Sequence, residues 1–158
     1  MRTMMTIRCP LGVLRLYAES DQLVGVDLPD HPGAASVERR TDVLIRTAAQ
    51  LAEYFAGERR VFDLPLAPRG SEFQVGVWRA LLRIPYGETC SYGDIARSVG
   101  RPDASRAVGA ANGRNPIPII VPCHRVVGSK GELTGFGGGL DTKRWLLEHE
   151  GALMELGV

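Results

Sequence analysis

Asn115-Pro116-Ile117-Pro118-Ile119-Ile120-Val121-Pro122-Cys123-His124-Arg125-Val126-Val127 sets a cysteine and a histidine side by side at the end of an apolar run. Pro116, Pro118 and Pro122 each fix a backbone angle and remove a donor, so the run reads as a rigid extended segment and not a helix. A thiolate is a far better nucleophile than a thiol, and a nearby base or cation raises its share. Most cysteines in apolar surroundings are inert core fillers. Cys123 differs in its company. His124 adjoins it, Arg125 adds positive charge, two short helical segments precede it and a glycine-rich stretch follows.

Working upstream, Ala104, Ala107, Val108 and Ala111 share one face of a helix that starts at Pro102 and runs to about Asn112. Arg106 falls on the opposite face and points outward. Ser91 can cap a shorter helix, Tyr92 to Val99, with Asp94 in its first turn and Gly100 beyond its end. Two short helices joined by a glycine-containing turn are a helix-turn-helix candidate. Before them, Ser71-Glu72-Phe73-Gln74 has the form of a capping box. It opens a helix whose buried stripe is Phe73, Val77, Leu81 and Ile84, with Trp78 in the core and Pro85-Tyr86-Gly87 as the stop.

Downstream, Gly128 to Gly131 is a turn. Leu133-Thr134-Gly135-Phe136-Gly137-Gly138-Gly139-Leu140 follows, and its glycines let a backbone approach a flat ligand closely. Asp141 can cap a last helix, Thr142 to Glu150, that packs Trp145 and Leu146 inward. Glu150 sits unfavourably at the carboxyl end of that helix, which points either to a specific partner such as an imidazolium or to plain surface placement.

The first half reads differently. Strands are expected at Met4 to Cys9, Val13 to Ala18 and Leu23 to Leu28, with a loop at His31 to Ser36. Leu44, Ala48, Leu51 and Phe55 recur at helical spacing before Gly57, and Val61 to Leu66 is a candidate further strand. This half carries no cluster of nucleophile, base and orienting group. The expected division is a supporting α/β domain, 1–69, and a mainly helical domain, 70–158.

Bulk numbers bound the rest. The chain has 158 residues, a net charge of +1 and three cysteines, enough for one domain or two small ones. No apolar run reaches the ~18 residues a membrane span needs. Arg8 and Arg15 interrupt any signal-peptide core, so a reducing cytoplasm with free thiols is expected. Cys9 and His31 are too few ligands for zinc, so no metal and no cofactor are expected. Near-neutral charge speaks weakly against nucleic acid. Against that, Arg97, Arg101, Arg106, Arg114 and Arg125 cluster with a single acid, Asp103.

Pro122-Cys123-His124-Arg125-Val126, preceded by Asn115-Pro116-Ile117-Pro118, resembles the active-site signature of the O6-alkylguanine-DNA alkyltransferases. The resemblance spans roughly Phe73 to Gly151. It implies a ribonuclease-H-like α/β N-terminal domain and a mainly α C-terminal domain with a winged helix-turn-helix-like motif. It implies that the Cys123 thiolate takes the alkyl carbon from O6-alkylguanine, with O4-alkylthymine a second candidate. His124, oriented by Glu150, would take the thiol proton through a water. Tyr92 would donate to the guanine as charge develops on it. Asn115 would buttress the active-site turn, and Pro118, Val126, Phe136 and Gly137 would complete the pocket. The family often has tyrosine where Phe136 stands, so any hydroxyl role there is lost.

A base inside a duplex must be flipped to reach such a sulfur. The resemblance gives Arg106 the place of the vacated base. It sets the second helix, with Ala107, Gly109, Ala110 and Ala111, in the minor groove. The partner is then double-stranded DNA, met by a monomer with cooperative assembly on DNA as an option, and no membrane. No resolving cysteine is adjacent, and a thioether does not exchange as a disulfide does, so each molecule would act once. Two other classes fit parts of the pattern: a cysteine hydrolase using Cys123, His124 and Glu150, and a DNA lesion sensor that performs no chemistry.

Overall fold

The apolar alternation of the N-terminal half builds three antiparallel strands: β1 (Thr3–Cys9), β2 (Gly12–Glu19) and β3 (Gln22–Asp27). The computed structural model describes residues 1–152. A two-residue strand, β4 (Val37–Glu38), pairs parallel with β1, so the sheet order is β3-β2-β1-β4. Helix α1 (Asp42–Phe55) packs on β1, β2 and β3. Leu14, Leu16, Leu23, Leu44, Leu51 and Tyr54 are fully buried there.

The expected strand at Val61 to Leu66 does not form. Only an isolated bridge joins Leu66 to Leu23. Side chains of α1 take the backbone instead: Gln50 accepts from Asp63 N–H at 2.9 Å and donates to Asp63 C=O at 3.0 Å. Pro65 has no N–H to give to a ladder.

Contacts divide the chain into two units. Met1–Arg69 and Pro116–Pro118 form one; Gly70–Asn115 and the described residues from Ile119 form the other. A division by position alone did not place the prolines of the quoted run in the first unit. Their anchor is the Pro116 carbonyl, which accepts from Val26 N–H at 2.9 Å.

The second unit opens on α2 (Glu72–Leu81), whose capping box forms in full between Ser71 and Gln74. Ser91 and Asp94 make a second box at the start of α3 (Tyr92–Ser98). Helix α4 (Ser105–Gly113) begins three residues after Pro102, which lies in the preceding turn. Its packed face is Val108, Ala111 and Asn112, while Ala107 is exposed and Ala104 half-buried. The strands β5 (Cys90–Ser91) and β6 (Val126–Val127) pair in parallel. Helix α5 (Leu140–His149) starts at Gly139, φ +93°, with no side-chain cap, so Asp141 sits in the first turn instead. Trp145 is half-buried and stacks on His149 at 4.9 Å, and Leu146 is buried as expected.

Candidate active site

Helices α2, α3 and α4 pack on one another, and Trp78 Nε1 donates to Ala111 C=O at 2.8 Å. This fixes the end of α4, from which two amide side chains reach the reactive segment. Asn115 Nδ2 donates to Val121 C=O at 2.8 Å, and Asn112 Nδ2 donates to Cys123 C=O at 3.3 Å. The run from 115 to 123 is therefore a closed loop and not an extended ramp. Ile119 turns it with φ +74°, a left-handed conformation rare for a β-branched residue. A proline fixes only its own φ, and the apolar run is buried as a turn because the asparagines supply the bonds a strand would need.

Cys123, His124 and Arg125 form a one-turn 3-10 helix, and all three are buried. Two of them converge on Glu150, which follows α5. His124 Nε2 lies 2.8 Å from Glu150 Oε2, with both side chains at 0% exposure. Arg125 donates through Nε to Oε1 at 2.8 Å, through a terminal nitrogen to Oε2 at 3.1 Å, and to Ile84 C=O at 2.7 Å. The Arg125 guanidinium also lies over the Tyr86 ring. Its charge is thus neutralised inside the unit. It neither gathers on the sulfur nor joins the basic surface, contrary to the sequence expectation.

These contacts fix the protonation pattern. Burial pushes Glu150 up, but the His124 hydrogen bond and the Arg125 guanidinium outweigh it and hold the carboxyl at about 2. Burial pushes the His124 imidazole below its ordinary value, and the Glu150 bond only partly offsets this. The histidine is therefore neutral, with its proton on Nε2 toward the carboxylate. Nδ1 is left as the basic nitrogen; it is buried and makes no hydrogen bond among the described residues. Burial raises the Cys123 thiol to about 11, against the pull of the Asn115 side chain and of Lys143.

Lys143 is the residue that the sequence reading missed. It is fully buried, and its ammonium donates to Val126 C=O at 2.6 Å and to Thr134 C=O at 2.7 Å. Burial lowers it to about 8. A signal was there: Lys143, Leu146, Leu147 and Glu150 stand at i, i+3, i+4 and i+7, so the lysine shares the apolar face with both leucines and the acid.

Thr134 also meets Tyr92, whose hydroxyl lies 3.1 Å from Thr134 Oγ1 and 3.3 Å from its carbonyl oxygen. The Tyr92 ring lies beside Gly109, where an added Cβ would stand 3.8 Å from it. Phe136 is half-buried and its carbonyl accepts from Gly139 N–H at 3.0 Å. Gly137 is exposed. The Val126 carbonyl accepts from Lys143, so one of its lone pairs is already taken. Pro118 is buried and groups with the first unit, not with the other pocket candidates. On α4, Arg106, Ala107 and Ala110 are exposed and Gly109 is half-exposed. Ala111 is buried under Trp78 and leaves the exposed set. No group of three metal-binding side chains occurs among the described residues.

An α/β unit, followed by a helical unit that holds a buried thiol, a histidine–glutamate couple and a pair of short helices, defines the class of protein. The comparisons with known proteins name it. Residues 4–68 match the ribonuclease-like domain of 6-O-methylguanine DNA methyltransferase, and residues 72–152 match its DNA binding domain. The methylated-DNA--protein-cysteine methyltransferase of Mycolicibacterium paratuberculosis is 50% identical over 148 residues, 92% of this chain and 90% of that one. The protein of the same name from Methanosarcina acetivorans is 63% identical over 103 residues, 65% of this chain and 66% of that one. A crystal structure of Mycobacterium tuberculosis OGT in complex with DNA superposes with a TM-score of 0.89 at 48% identity, covering 95% of this chain and 93% of that one. The chain belongs to the 6-O-methylguanine DNA methyltransferase family, and its second unit is a DNA-binding domain of that family. Among the described residues, no helix is long and apolar enough to cross a membrane.

Proposed function

We propose that this chain repairs DNA by direct reversal, moving the alkyl group of an O6-alkylguanine irreversibly onto its own Cys123. The supporting observation is the buried His124–Glu150 couple beside Cys123, which leaves His124 Nδ1 as a free base. The Cys123 proton passes to that nitrogen through a water. The resulting imidazolium is stabilised by the ionised Glu150. Sulfur attacks the alkyl carbon in line, the S–C bond forms, the C–O6 bond breaks, and the electron pair leaves with guanine. Tyr92 donates to the guanine as charge develops there, and Phe136 and Gly137 wall the ring.

The lesion reaches the sulfur by flipping out of the duplex. Helix α4 enters the minor groove with Ala107, Gly109 and Ala110 against the sugar-phosphate backbone, and Arg106 fills the vacated stack. The protein is a monomer in this reading. Nothing in the chain restores the S-alkylcysteine, so each molecule repairs one lesion.

Limiting protein mixed with excess O6-methylguanine duplex tests this. The expected result is product equal to the active protein and a gain of one methyl, about 14 Da, on the peptide containing Cys123. Sustained turnover with an unmodified resting mass would establish the hydrolase reading instead. Binding with neither product nor mass change would establish a lesion sensor.

A further inference from the structure

We infer that Thr134 is a positioning residue for alkyl transfer: its hydroxyl donates to the Tyr92 phenol oxygen and so leaves the phenol proton for the guanine. The inference deepens the alkyl-transfer reading and rests on it.

Tyr92 is held at both ends. Its backbone opens α3 directly after β5, and β5 pairs with β6, the strand that follows the reactive 3-10 turn. Its ring lies against α4 at Gly109. Its hydroxyl meets Thr134, 42 residues along the chain, at two atoms: Oγ1 at 3.1 Å and the carbonyl oxygen at 3.3 Å.

The hydrogens available set the directions of these bonds. A phenol has one proton and a threonine hydroxyl has one. The Thr134 carbonyl can only accept, so the Tyr92 proton fills that contact. The threonine proton then fills the other, with the phenol oxygen as acceptor. In the opposite direction one phenol proton would serve two acceptors.

Lys143 donates to the same carbonyl at 2.7 Å, the shorter of the two bonds that this oxygen accepts. The carbonyl therefore stays paired when the phenol proton leaves it. A guanine that takes the proton strands no group, because the carbonyl keeps Lys143 and the phenol oxygen keeps Thr134. The phenol also donates more strongly while it accepts, since hydrogen bonds in a chain polarise one another. That strength acts as negative charge builds on the leaving guanine. A threonine needed only for its shape would be replaced without loss by valine, which has the same outline and no hydroxyl.

Single-turnover methyl transfer from O6-methylguanine duplex, at saturating protein and read on the Cys123 peptide, tests this. The proteins compared are the wild type, Thr134→Val, Thr134→Ser, Tyr92→Phe and Tyr92→Phe with Thr134→Val. Thr134→Val is expected to slow transfer about tenfold, the worth of one hydrogen bond made to developing charge, and Thr134→Ser to recover to within about twofold of wild type. In the Tyr92→Phe background Thr134→Val should cost nothing further, because the acceptor is gone. Equal rates for the wild type and Thr134→Val overturn the inference. So do losses that multiply in the double variant, or a serine variant as slow as the valine one.

Iodoacetamide alkylation of Cys123 involves no guanine and reports whether the site is intact. A parallel slowing of that reaction in Thr134→Val would mean a distorted site and would overturn the inference. Thr134→Ala removes the same hydroxyl without adding a methyl group, and it repeats the test if the valine protein does not fold. Methyl transfer by the wild type with no effect of these variants overturns this inference alone. No transfer by the wild type overturns the alkyl-transfer reading and the inference with it.

Discussion

Glu150 Oε2 lies 2.8 Å from His124 Nε2, and Arg125 donates to both oxygens of the same carboxylate. The geometry assigns three states at once. The carboxylate is ionised, the imidazole is neutral, and the imidazole proton is on the nitrogen away from its free, basic Nδ1. An acid at a helix carboxyl terminus is unfavourable by itself. Here two donors from the 3-10 helix overcome that penalty.

Replacing the acid tests this arrangement. Glu150→Gln keeps the shape but leaves Arg125 buried without a counter-ion, which costs on the order of 3–5 kcal/mol. Transfer to Cys123 should slow at neutral pH because the imidazolium loses its stabilising charge. The wild-type carboxyl is held at about 2, below its ordinary 4.5. Its stabilising contribution is therefore complete above 4.5 and is lost as the pH falls toward 2. Acid denaturation of Glu150→Gln should lack that loss. Identical acid limbs for the two proteins would contradict the assigned ionisation.

Cys123→Ser should abolish alkyl transfer and leave DNA affinity nearly intact, since a serine hydroxyl is a far weaker nucleophile at neutral pH. Intact-mass measurement and a binding titration read the two effects. Alkyl found on Cys9 or Cys90 would show that another sulfur reacts.

Arg106 is exposed on α4 and makes no bond to the core among the described residues. Arg106→Ala should therefore change stability by no more than about 0.5 kcal/mol. Repair of duplex DNA should slow far more than reaction with the free base. Equal losses on both substrates would exclude a flipping role.

Asn115→Ala removes the bond to Val121 C=O and the side-chain donor that lowers the Cys123 thiol. The thiol should titrate at higher pH, and a carbonyl loses its partner at a cost of about 1–3 kcal/mol. Denaturant midpoints and the pH profile of thiol alkylation separate these effects. An unmoved profile would limit Asn115 to a structural role.

Ser71→Ala serves as the contrast. It breaks the capping box of α2, remote in sequence from the reactive run, and should cost about 1 kcal/mol. The rate constant of alkyl transfer should not change. A slower transfer would show that α2 sets the site more directly than its packing suggests.

The sequence by itself determined what local chemistry controls. Period-two and helical patterns place β1, β2, β3 and α1. Side chains that reach three residues along the chain place the capping box at Ser71 and the cap at Ser91, the quoted run marks Cys123 and His124, and the carboxyl end of the last helix marks Glu150. Tertiary structure decided what depends on partners far along the chain. Val61 to Leu66 has the composition of a strand, but Gln50 captures its backbone. The proline run looks extended, but Asn112 and Asn115 close it into a loop around Ile119. Arg125 looks like a surface charge until Glu150 and Ile84 are seen to enclose it. Lys143 carries the same lesson. A lysine in a sequence implies solvent, and only a fold that brings Val126 and Thr134 to its ammonium can bury that charge.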